Sequence, residues 1–297
     1  PLWVGKPLSY ASSQNVPRPS GSQGGAVKSY FPGQKGFVPA AEAEKRFAAT
    51  VMLLRDGPTG LEVFMMERTA TVDFGGLHVF PGGKVDFHDR AEDLEAHASG
   101  LTDAEASRRL GLESGGLAFW VAAVRECFEE AGVLLAYGPD GTVLRTEDPR
   151  WASALAELRE AVNAGRLPFL ELCKRFKLRL ALDQVHYFSH WFTPEGPPRR
   201  YDTRFFVTAA PPQEGTHDDG ELVGSRWVSP KAALAAWEAG EIQMIYPTHS
   251  TVRALATFED QASALAAVAR GAHRHLVTPD DTLAREGLQA PPPLPTP

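Results

Sequence analysis

Apolar and polar positions alternate in two distinguishable periods along this chain. Residues 47–55, F-A-A-T-V-M-L-L-R, are a β-rich run, followed by the turn D-G-P-T-G and by L-E-V-F-M-M-E-R at 61–68. This spacing predicts a β-hairpin. Leu77 to Phe80 predict a short strand that feeds a turn at Pro81-Gly82-Gly83. Over 118–131 the period changes. At about 100° per residue, Trp120, Val124, Cys127, Phe128 and Ala131 fall on one stripe, as in a helix with one face on a core. Gly132 supplies the left-handed residue that ends such a helix, and V-L-L is expected to start the next strand.

Downstream, 151–163 and 167–177 predict two helices joined at A-G-R-L-P. V-H-Y-F-S-H-W-F-T at 185–193 and R-R-Y-D-T-R-F-F-V at 199–207 predict a strand pair around the turn E-G-P-P. Ser229-Pro230 has the pattern of a capped helix start, and 248–270 reads as one long amphipathic helix. The stretch 90–117 is a polar, helical segment, with a capped start at Thr102. Residues 1–41 carry no Asp or Glu and are rich in Gly, Pro and Ser, the composition of a flexible arm. Residues 273–297, ending P-P-P-L-P-T-P, form an extended tail. The domain itself is placed at 42–272.

The chemistry is concentrated on the far side of the 118–131 helix. Glu126, Glu129 and Glu130 lie at i, i+3 and i+4, so their carboxylates are neighbours. Three such groups repel unless positive charge sits among them. Arg125 offers one charge at the edge of the cluster, and a hard divalent cation with oxygen ligands, Mg²⁺ or Mn²⁺, would neutralise the rest. The competing reading is a solvated acidic helix face.

Composition narrows the partners. Of 297 residues, 43% are hydrophobic and 23% charged, with a net charge of −7. An acidic chain is a poor nonspecific binder of nucleic acid or anionic membrane. No apolar run reaches the roughly 18 residues a membrane span needs. The two cysteines, Cys127 and Cys173, lack metal-type spacing, and reduced thiols in a cytoplasmic setting are the simplest reading. His186 and His190 read as strand residues rather than metal ligands. A homodimer is left open.

These motifs in order resemble the Nudix hydrolase box, G-x5-E-x7-R-E-U-x-E-E-x-G-U, where U is bulky and apolar. Gly83 matches its first glycine within the P-G-G lead-in. Arg125, Glu126, Glu129, Glu130, Gly132 and Val133 match its second half. Asp89 stands where the first glutamate belongs, Cys127 fills a U position, and the segment at about 90–117 is inserted inside the box. The insertion, with W-F-T-P at 191–194 and R-R-Y-D-T-R-F-F at 199–206, is similar to the long-box subgroup that includes the mammalian peroxisomal coenzyme A diphosphatase. The resemblance implies an α/β (α+β) Nudix fold, a mixed sheet sandwiched between helices. It implies Mg²⁺- or Mn²⁺-dependent hydrolysis of a small nucleoside-diphosphate derivative: coenzyme A or its thioesters, or alternatively ADP-ribose, NADH or a nucleotide sugar. A catalytically weak nucleotide-binding module is a further alternative. Glu126, Glu129 and Glu130 would hold metal, and Arg125 would position a glutamate. Glu129, Glu195 or Glu221 would be the base. Arg68, Gly82, Gly83, Lys84, Arg199 and Arg200 would meet the substrate. Arg200, Asp202 and Arg204 share one strand face, and either pair among themselves or meet phosphate.

Overall fold

The computed structural model describes residues 38–277, apart from 40, 70–75, 91, 146–147, 149, 152–153, 194, 214 and 216–221. Glu221 and most of the expected arm and tail therefore lie outside the described residues.

The hairpin forms as its alternation predicts: β1 (Glu44–Gly57) and β2 (Gly60–Arg68) meet through Gly57↔Gly60. They stay paired only from Leu54 onward. Beyond that point β2 leaves β1. It pairs instead with β3 (His78–Val79) and, antiparallel along 63–68, with β9 (Leu222–Val228). The gap along β1 is filled by β4 (Gly82–Lys84), with Thr50↔Gly82 and Ala48↔Lys84. The glycines expected to form only a turn thus also form a short strand. The other edge of β1 runs parallel to β8 (Arg199–Ala209), which pairs antiparallel with β7 (His186–Phe192). The result is a mixed seven-stranded sheet.

Alternation along β1 sends its side chains to two cores. Ala49, Val51 and Leu53 face one, and Met52 and Leu54 the other. The first core is closed by α2 (Leu117–Ala131), with α1 (Asp103–Leu110), α3 (Ala154–Asn163) and α4 (Phe169–Phe176) around it. Helices α5 (Pro230–Glu238), α6 (Tyr246–Leu255) and α7 (Gln261–Ala269) cover the opposite face. A separate two-stranded sheet joins β5 (Ala136–Tyr137) to β6 (Arg179–Leu180). Among the described residues no helix is long and apolar enough to cross a membrane.

Two expectations need correction. The single helix at 248–270 is two: α6 closes at Ala256, and Asp260 caps α7 by accepting from the Ser263 amide at 2.7 Å. A side-chain acceptor at Asp260 satisfies a free first-turn N–H that a continuous helix would not have. Val133-Leu134-Leu135 are not a strand. The Gln213 amide takes the place of a strand partner, accepting from Leu134 N at 2.9 Å and donating to Leu134 O at 2.9 Å.

Candidate active site

The site is built where β4 wedges against α2. The α2 stripe Trp120, Val124, Cys127, Phe128 and Ala131 is completely buried, which fixes the rotation of the helix. Its cost is low because α2 consists mostly of good helix formers, and Gly132 (φ 68°) ends it in the left-handed conformation that glycine adopts freely. At the other end Asp103 accepts from the Gly115 and Leu117 amides, both at 2.9 Å, so the insertion caps the approach to α2. Thr102 in turn caps α1, accepting from Glu105 N at 3.2 Å.

Arg125 does not sit at the edge of the acidic cluster. It is buried at the centre. Its guanidinium donates twice to Asp89, at 2.8 and 2.9 Å, to the Lys84 carbonyl at 2.8 Å, and through one nitrogen to Glu126 at 2.9 Å and Glu129 at 3.1 Å. Burial opposes the charge, but the carboxylates of Asp89, Glu126 and Glu129 more than offset it, and the pKa of Arg125 is raised. Asp89, missing from the sequence-derived set, is itself buried. It also accepts from the Asp86 amide at 2.8 Å, closing the turn Phe87–Arg90. The shorter carboxylate reaches its partner because this turn brings its backbone in.

Glu130 faces the other way. It accepts from the Gly82 amide at 2.8 Å and lies 3.8 Å from Arg68. The carbonyls of Glu129 and Glu130 accept from Arg159 at 2.9 and 2.7 Å, which holds the C-terminal turn of α2 in place. Gly83 lets the Glu126 carboxylate lie close: a Cβ there would be 2.5 Å from it, so a larger residue would displace that carboxylate. Arg68, Gly82, Gly83, the Lys84 backbone, Arg125 and the three glutamates are thus brought together. Arg199 and Arg200 are not. Arg199 lies 3.8 Å from Glu44, and Arg200 donates to the Thr193 carbonyl at 3.0 Å, both at the far end of β1 and β8. Glu195 is exposed in the turn before β8. Arg204 and Asp202 pair with each other, buried, while Arg200 is held to the Thr193 carbonyl.

The donor set suits a hard cation. Asp86, Asp89, Glu126 and Glu129 all lie within 4 Å of one guanidinium, an excess of negative charge. Burial, with repulsion from Glu129 and Asp89 and against the pull of Arg125, pushes the Glu126 carboxyl up to about 7; burial raises Glu129 as well. The three glutamates do not converge, however. Glu126 and Glu129 are drawn to Arg125 and Glu130 to Gly82. Among the described residues, no group of three or more His, Cys, Asp or Glu is arranged to hold a metal ion.

Comparison with known proteins identifies the family. A family profile described as the NUDT19 Nudix domain matches residues 102–255, more than half of the chain. The chain is 33% identical over 233 residues to the Homo sapiens acyl-coenzyme A diphosphatase NUDT19, covering 67% of this chain and 61% of that protein. It is 31% identical over 227 residues to the Gallus gallus acyl-coenzyme A diphosphatase NUDT19, covering 64% and 60%. The chain thus spans about 60% of the length of these curated relatives. Among solved structures, a NUDIX hydrolase from Alicyclobacillus acidocaldarius superposes with a TM-score of 0.59 at 26% identity, covering 75% of this chain and 96% of that one. With a family profile matched over more than half of its length and a relative 33% identical over 67% of it, the chain belongs to the Nudix family.

Proposed function

We propose that the protein is a metal-dependent hydrolase of the diphosphate linkage in coenzyme A or acyl-coenzyme A, giving 3′,5′-ADP and 4′-phosphopantetheine or its acyl form. The observation that carries this reading is Arg125: one buried guanidinium ties Asp89, Glu126, Glu129 and the Lys84 backbone into a single acidic cluster beside the glycine strand. The names of the relatives supply the substrate. The intact Asp89–Arg125 pair speaks against a catalytically weak binding module.

Glu126, Glu129 and Glu130 would hold Mg²⁺ or Mn²⁺ once released from their contacts with Arg125 and Gly82, and the ion would neutralise diphosphate oxygens and acidify an attacking water. The chain's own contributions follow from its contacts. Arg125 positions Glu126 and Glu129 without facing solvent. The Gly82 amide orients Glu130, and glycine at 83 lets Glu126 lie against the strand backbone. Arg68, 3.8 Å from Glu130, would provide positive charge beside the cluster for phosphate oxygens. Glu129, partly exposed and raised by burial, is the described carboxylate best suited to accept a proton from water; Glu221 is the alternative. A reducing, cytoplasmic location suits the two buried free thiols, Cys127 and Cys173.

The test is a panel of coenzyme A, ADP-ribose, NADH and a nucleotide sugar with Mg²⁺ or Mn²⁺, products being separated by chromatography. Coenzyme A or its thioester should be cleaved best. Glu130→Gln should lower kcat by about 100-fold or more. Its unfolding free energy should stay within about 1 kcal/mol, since glutamine still accepts from Gly82. A melting shift with ligand but no product from any compound would sink the enzyme reading.

A further inference from the structure

Helix α2 ends in carbonyls that its own backbone leaves open. The last four C=O groups of an α-helix have no partner inside it. Here the Gly132 amide returns to the Phe128 carbonyl at 3.0 Å. Among the described residues, no main-chain N–H reaches the carbonyl of Glu129 or of Glu130. The chain beyond is diverted, since Leu134 N donates to the Gln213 side chain at 2.9 Å. Both open carbonyls belong to glutamates of the acidic cluster. The side chains of these two residues diverge, Glu129 toward Arg125 and Glu130 toward the Gly82 amide, so neither contact ties one to the other.

What ties them together comes from α3, outside the box motif. Arg159 Nε donates to the Glu129 carbonyl at 2.9 Å, and a terminal nitrogen of the same guanidinium donates to the Glu130 carbonyl at 2.7 Å. Asn163, one turn on, adds a bond to the Glu129 carbonyl at 3.2 Å. The helix that carries them is anchored independently: Leu155, Leu158 and Val162 form one stripe buried in the first core. Arg159 itself is half-buried. Its planar fork holds two successive carbonyls at once, which a single ammonium cannot do, and so fixes the turn that carries both carboxylates. The guanidinium also places positive charge at the negative end of the helix dipole.

We infer that Arg159 is a positioning residue of the metal site: by clamping the Glu129 and Glu130 carbonyls it fixes the turn from which both carboxylates reach a divalent cation, so that α3 sets part of the cation affinity. The inference rests on the proposed metal-holding role of these two glutamates. It does not depend on which diphosphate is cleaved.

Calorimetric titration of the metal-free protein with Mn²⁺ tests this without substrate or turnover. Arg159→Gln should raise the Mn²⁺ Kd by about tenfold or more, the range for partners that orient metal ligands. Arg159→Lys keeps the charge but reaches one carbonyl at most, and should fall between the two. Asn163→Ala leaves both Arg159 bonds and should change the Kd less than Arg159→Gln does. Val162→Ala loosens α3 against the core without removing a donor; its urea midpoint should fall while its Kd stays at the wild-type value. In rate measurements, the Mn²⁺ concentration for half-maximal rate should rise in Arg159→Gln by the same factor as the Kd. The KM for coenzyme A at saturating Mn²⁺ should not move. An unchanged Kd in Arg159→Gln overturns the inference, and so does an equal rise in Val162→Ala, which would make the effect one of helix stability alone. Should Arg159→Gln not fold, a wild-type Kd in Arg159→Lys overturns it. A wild type that binds no Mn²⁺ overturns it together with the metal role of the glutamates. If Mn²⁺ binds and is weakened in Arg159→Gln, yet no diphosphate is cleaved, the hydrolase reading fails and the role of Arg159 stands.

Discussion

Asp89 shows how much one carboxylate can carry. Its two hydrogen bonds to Arg125 are buried, and the loss of one partner strands the other's charge in a low-dielectric setting. Asp89→Ala should therefore destabilise by roughly 3 kcal/mol in urea titration, the remaining contacts to Glu126 and Glu129 softening the loss. Activity should fall further than stability accounts for, because the guanidinium would no longer fix both glutamates. Asp89→Asn should lie between. A stability loss under about 1 kcal/mol in Asp89→Ala would mean that the ion pair adds little to its solvated alternative. The three glutamates were legible because helical spacing is a local rule. The centrality of Arg125 was not, since its main partner lies 36 residues away. The arginines at 199 and 200 carry the right charge, but the parallel pairing of β1 with β8, invisible in any local period, places them at the far end of the strand.

Among elements, β4 is the piece on which the cleft turns, and its two glycines have separable roles. A Cβ at Gly82 would meet main-chain atoms of β1, 2.5 Å from Ala49 O and 2.6 Å from Thr50 Cα. The three atoms nearest a Cβ at Gly83 all belong to the Glu126 carboxylate, the end of a side chain, at 2.5 Å. Gly82→Ala should thus cost about 2 kcal/mol of stability, because backbone must move. Gly83→Ala should fold nearly as well as the wild type but lose about 100-fold in activity, the price of a displaced carboxylate. Thermal melts and initial rates on the two variants check this, and equal melting temperatures would contradict it. The hairpin, α2 and the caps at Thr102 and Ser229 were readable from local signals, with Ser229 accepting from Ala232 N at 3.2 Å. The break before α7 was hidden because alanines on both sides continue the helical period across Asp260.

For the whole molecule, one sheet with a core on each face places several histidines where charge is costly. His190 has its folded pKa depressed to about 3, below the ordinary 6.5, and burial lowers His78, His249 and His273 as well. The unfolded chain then binds more protons than the folded one below pH 6.5, so stability present above that value is lost as pH falls toward 3. The His190 contribution reaches at most about 1.4 kcal/mol per pH unit. His190→Gln should flatten the acid limb of the stability curve without abolishing it, as measured by denaturant midpoints between pH 7 and about 4. An unchanged limb would refute the assignment. The fold class followed from the order of periods and the box motif, while the two-stranded sheet of β5 and β6 did not, its strands being too short to show a period. The Asp89–Arg125 pair also has a bearing on how such a chain can change over time. It clasps the two ends of the intervening polypeptide, so length added between them can loop outward while the clustered carboxylates keep their places. Doubling that loop would cost only about 0.6 kcal/mol in closure entropy. A box interrupted at this point is therefore a docking port for new modules, open to elaboration at little thermodynamic expense.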